Sequence, residues 1–81
     1  MTTKLSSEIC KAARMLVSWS SAKLSENSGV PNDTIRAFES GRTKQLSTLN
    51  NEAVITALET AGVQFIPENG GGPGVRLRDR K

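Results

Sequence analysis

Ser20-Ser21-Ala22-Lys23-Leu24-Ser25-Glu26-Asn27-Ser28-Gly29-Val30-Pro31-Asn32-Asp33-Thr34-Ile35-Arg36-Ala37-Phe38-Glu39-Ser40-Gly41 is the stretch that decides the fold. Ser20 is placed to cap a short helix over residues 21–28, because a serine hydroxyl accepts one of the amide hydrogen bonds that a helix start leaves open. Gly29 ends that helix, since glycine takes the left-handed conformation of a sharp turn at no Cβ penalty. Val30 follows as an apolar plug. Pro31 then opens a further helix over about residues 32–40, where its missing N–H costs nothing, and Gly41 closes it. Two short helices about a Gly-Val turn are the sequence form of a helix-turn-helix.

Outward from this unit, residues 5–18 read as an earlier helix. Ile9, Cys10, Ala13, Leu16 and Val17 gather on one face at 100° per residue, Glu8, Lys11 and Met15 fall elsewhere, and Ser6 or Ser7 caps the start. Residues 47–61 read as a fourth helix with Leu49, Ala53, Val54, Ala57, Leu58 and Ala61 as its apolar positions. Gly62 followed by Val63 is the signature of its end. Beyond Gly62 the period changes to two: Val63 and Phe65 alternate with Gln64, and Val75 and Leu77 with Arg76 and Arg78. The intervening Pro67-Glu68-Asn69-Gly70-Gly71-Gly72-Pro73-Gly74 reads as a flexible loop, expected to be mobile over residues 68–74. It is no phosphate cradle, because no Lys-Ser/Thr follows and no helix starts there. The expectation is an all-α small helix bundle over residues 5–62, with a C-terminal strand/loop/strand extension over residues 63–81.

The 81 residues suit one domain. Hydrophobic residues make up 36% of the chain and charged residues 23%, and Trp19, Phe38 and Phe65 are the only aromatics, so the core is mostly aliphatic. With no histidine and a single cysteine, the chain cannot build a Ser-His-Asp or Cys-His site, a Cys/His zinc site or an internal disulfide. An enzyme is not expected, nor a cofactor or metal. Cys10 reads as a buried small hydrophobe and Trp19 as a core plug at a helix junction. No apolar run approaches the roughly 18 residues of a membrane span and no signal peptide opens the chain, so the expected location is the cytoplasm. The net charge of +3 is uneven. Residues 1–66 carry seven Lys/Arg against six Asp/Glu, whereas residues 67–81 carry four against two. The basic tail either keeps the segment soluble or touches DNA without sequence preference.

Leu24, the small Ser25, Gly29, Val30, Ile35 and Phe38 stand at the spacing of the apolar anchor, close-packing small residue, turn glycine and inter-helix core of one family of helix-turn-helix proteins. Residues 34–44 resemble the end of the recognition helix and the following loop in phage repressor and Cro proteins. Over about residues 8–61 the chain therefore resembles the Cro/C1-type (XRE) family of bacterial and phage transcriptional regulators. It departs from the family where Ser21 replaces a common Gln, Ser25 a common Ala, and Gln45-Leu46 a frequent proline.

The resemblance implies a helix bundle of the phage-repressor type and a role for each matched residue. Asn32, Asp33, Thr34 and Ala37 occupy positions facing the major groove: Asn pairs bidentately with adenine, Asp accepts from cytosine N4, and the Thr and Ala methyls meet thymine. Arg36, one turn along, reads guanine or holds a phosphate. Ser21, Arg42, Thr43 and Lys44 grip the sugar-phosphate backbone. Arg14 and Glu39 match positions that form an ion pair. The function implied is a sequence-specific DNA-binding regulator, such as a repressor, acting as a homodimer on inverted repeats of double-stranded DNA. The alternative is an antiactivator or adaptor that uses the same fold to bind a partner regulator, with no membrane involved. Because unpaired strand edges seek a neighbour, the extension is the expected dimerisation element, through Val63, Phe65, Val75 and Leu77 together with Val54 and Leu58 of the fourth helix.

Overall fold

Serine hydroxyls start three of the helices in the computed structural model, which describes residues 4–67 and 70–78. Among those residues lie α1 (Ser7–Leu16), α2 (Ser21–Ser28), α3 (Asn32–Glu39), α4 (Thr48–Thr60), β1 (Val63–Ile66) and β2 (Gly74–Leu77). The Oγ atoms of Ser6, Ser20 and Ser47 accept from the amides of Ile9, Lys23 and Asn50 at 3.0–3.1 Å, each satisfying an amide that the helix cannot. Pro31 precedes α3 as its cap and offers no side-chain acceptor.

Leu5, one residue before the cap of α1, is buried in the same core as Cys10 at the fourth helical position, so the pair staples the chain's entry into the helix. Ala13, Leu24, Val30, Ile35, Phe38, Val54, Leu58 and Val63 are likewise almost fully buried. The outer position of Leu49, 78% exposed, differs from the stripe expected of α4. The expected Val54, Ala57 and Leu58 are buried, joined by Asn51 and Ile55, which were not among the expected positions. Asn51 Oδ1 accepts the Leu5 amide at 3.0 Å, which satisfies a polar atom on the buried side of the helix.

The fold is mostly helical rather than all-α. β1 and β2 form an antiparallel pair with Val63 opposite Leu77 and Phe65 opposite Val75. β2 packs against α1 and β1 against α4. The Arg78 amide closes the pair onto the end of α4 by donating to Gly62 O at 2.7 Å. The expected extension is thus packed into the same core, with Val63 inside it and Phe65 and Val75 against it. Of the loop expected to be mobile, residues 68 and 69 lie outside the described residues, as do residues 79–81 of the basic tail. No helix of the described residues is long and apolar enough to cross a membrane.

Candidate nucleic-acid interface

The turn between α2 and α3 is built from its own residues. Gly29 takes φ +80° and its amide donates to Ser25 O at 2.9 Å, ending α2 in a left-handed cap. Ser25 Oγ donates to Val30 O at 2.6 Å, and the Val30 amide donates to Ser28 Oγ at 3.2 Å. Val30, 2% exposed, is thereby driven into the core between the helices. The Ser25 hydroxyl, a departure from the alanine of the family resemblance, binds the turn.

Arg14 and Glu39 fix α3 to α1. Arg14 donates through Nη2 to Glu39 Oε1 at 2.7 Å and through Nε to Oε2 at 3.0 Å, the two-pronged geometry suited to a guanidinium and a carboxylate. Its Nη1 donates to Trp19 O at 2.8 Å, so one side chain clasps α3 and the α1–α2 junction together. The Cys10 thiol donates to Glu39 Oε2 at 3.2 Å. Burial pushes the Glu39 carboxyl up, but the hydrogen bonds from Arg14 and Cys10, with the charges of Arg14 and Lys11, outweigh it and hold the group below its ordinary value. Burial first, then the hydrogen bond and negative charge of Glu39, push the Cys10 thiol up to about 12.

With α3 so fixed, Asp33, Thr34 and Ala37 line one cleft of about 620 Å³ together with Arg42 and Thr43. The Thr43 amide donates to Ala37 O at 3.1 Å, which ties the loop after α3 back onto the helix. Lys44 follows in that loop and is exposed. Ser21 and Arg36 instead share a second cleft of about 410 Å³ with Lys11, Arg14, Glu39 and Ser40. Asn32 is turned inward: its Oδ1 is buried and accepts no hydrogen bond from the described residues. A bidentate pair with adenine needs Oδ1 and Nδ2 presented together, so it requires another rotamer of this side chain.

Three residues expected at a subunit interface are elsewhere. Val54, Leu58 and Val63 are each 0% exposed within their own subunit, because the strand pair folds back over α4, and a partner cannot reach them. Phe65, Val75 and Leu77 are half-buried. Lys11 and Ser40 join the second cleft without having been singled out in the sequence. Lys11 lies off the apolar face of α1, and only folding brings it beside Ser21 and Arg36. Among the described residues no group of three or more His, Cys, Asp or Glu could hold a metal ion. Comparison with models of known protein families and with curated protein sequences finds no match to this chain.

Proposed function

We propose that this protein is a sequence-specific DNA-binding transcriptional regulator of the Cro/C1 type, acting as a homodimer on inverted repeats, with α2 and α3 as its helix-turn-helix in a bundle of the phage-repressor type. The observation that carries the reading is the arrangement about α3. The side chains of Asp33, Thr34 and Ala37 share a cleft with the donors Arg42 and Thr43 on one side, and Ser21 and Arg36 stand on the other. A helix lying in a major groove about 12 Å wide meets base edges along its outer face and a phosphate rim on each flank. The reading puts the protein in the cytoplasm with its DNA, without cofactor or catalysis. Thr34, Asp33 and Ala37 read bases, joined by Asn32 once its side chain rotates outward. Arg42, Thr43, Lys44 and Ser21 hold phosphates. In this reading a second subunit adds at an outer edge of the strand pair, which meets no third strand among the described residues, with Phe65, Val75 and Leu77 beside it.

Selection of bound duplexes from a randomised library, followed by fluorescence anisotropy, tests this. The expected result is an enriched inverted repeat with half-sites about one DNA turn, roughly 34 Å, apart. Thr34→Ala should change the enriched bases. Weak, equal binding to all duplexes, or none, overturns the reading.

A second reading, a protein-interaction module of antiactivator or adaptor type, is favoured by one feature. Trp19, Leu49, Ala53 and Ala57 line a cleft of about 640 Å³ between α2 and α4, with Leu49 protruding. Recovery of full affinity for a selected duplex in Leu49→Ser separates that surface from DNA binding.

A further inference from the structure

Lys11 and Arg36 stand on different helices, α1 and α3, yet line one cleft with Arg14, Ser21, Glu39 and Ser40. The cleft holds three cations and one carboxylate. Arg14 and Glu39 cancel, since the guanidinium is committed to that carboxylate by two hydrogen bonds and to Trp19 O by a third. Lys11 and Arg36 are left over. Both are exposed, and among the described residues neither has a carboxylate within 4.0 Å. Lys11 is nevertheless close enough for its charge to act on Glu39. Two unspent cations, set over a neutralised pair and beside the hydroxyl and open amide of the first residue of α2, make a receptor for one compact anion.

The placement of Arg36 decides which anion. Asp33, Thr34 and Ala37 turn toward the cleft of Arg42 and Thr43, whereas Arg36 and Ser40, one turn apart, face the α1 side. Arg36 is thus off the face that meets base edges when α3 lies in a groove. We propose that Lys11 and Arg36 together clamp a single DNA backbone phosphate, with Ser21 as third donor, and that Arg36 is a backbone residue rather than a base reader. The inference rests on the DNA-binding reading above and adds Lys11 to it. It also assigns the two flanks of α3 to two phosphate rims, one held from α1 and α2, the other from the loop after α3.

The test is anisotropy on the full-length protein with a selected duplex and a scrambled one, from 50 to 200 mM salt, after circular dichroism has shown each variant folded. Lys11→Gln and Arg36→Gln should each weaken both duplexes by the same factor. If the two cations share one phosphate, the double variant should lower the slope of log K against log salt by about one unit, not two, whereas adding Lys44→Gln removes about one more. A changed base preference in Arg36→Gln, or a double variant that lowers the slope by about two units or leaves it unchanged, overturns the clamp and leaves the DNA-binding reading intact. A wild-type protein with no salt-dependent affinity for either duplex overturns both.

Discussion

The Glu39 side chain accepts from Arg14 twice and from Cys10 once while 7% exposed. Glu39→Gln keeps the shape but strands the Arg14 charge in a half-dry site, so a loss of about 2–4 kcal/mol is expected in urea unfolding. The exposed Lys23–Glu26 pair at 3.6 Å sets the contrast, with about 0–1 kcal/mol at stake. The pH dependence follows from the directions of the shifts. The folded Glu39 carboxyl titrates below its ordinary 4.5, so its stabilisation is complete above that pH and disappears as pH falls through the folded value. Glu39→Gln should flatten the acid limb of the stability curve. Cys10 behaves in the opposite sense: its thiol moves from an ordinary 9.0 up to about 12, so its stabilisation is complete below 9.0 and is lost progressively as pH rises toward 12. Melting temperatures of wild type and Cys10→Ser, taken from pH 8 to 11, should diverge with the steeper fall in the wild type. Parallel curves refute the assignment.

At the scale of an element, α1 and α2 end in the same left-handed turn with different residues. Ser18 stands at φ 59° after α1, its amide donating to Met15 O at 3.0 Å and the Trp19 amide to Arg14 O at 3.0 Å. Gly29 does this work for α2 without a Cβ. The expected exchange is symmetrical: Ser18→Gly gains about 1 kcal/mol, and Gly29→Ala loses about 1 kcal/mol, by conformation alone because open space surrounds the added carbon. Thermal melting that moves both variants in one direction contradicts this account. The same contrast explains what could be read from the amino acids. Ser20, Ser47, Gly29 and Gly62 announce the limits of α2 and α4 because each acts within four residues of itself. The left-handed Ser18 carries no such signal. Neither does the rotation of α4, since Leu49 is as apolar as any core residue and the inward Asn51 meets the Leu5 amide 46 positions away. The donors near α3 were legible through the resemblance of residues 34–44, but their division between two clefts depends on the packing of α1, and the inward Asn32 on a local rotamer.

For the whole molecule, the strand pair is structural before it is anything else. Val63→Ala should cost about 2 kcal/mol, the loss expected for trimming a fully buried aliphatic side chain. A chain ending at Gly62 loses that side chain together with the cover of Phe65 and Val75, and should lose cooperative melting in calorimetry. A sharp transition near the full-length temperature would show the helices self-sufficient. Such a chain cannot report on dimerisation by itself; sedimentation of a surface variant such as Arg76→Glu can. The bond from the Leu5 amide to Asn51 Oδ1 spans 46 positions of sequence. During synthesis it cannot form until α4 has left the ribosome, and the contact of α1 with β2 waits longer still. The helix translated earliest among those described is therefore the last to find all its neighbours. A chain that stops before β2 lacks the strand that packs against α1, and the apolar surface so left is what chaperones and proteases recognise.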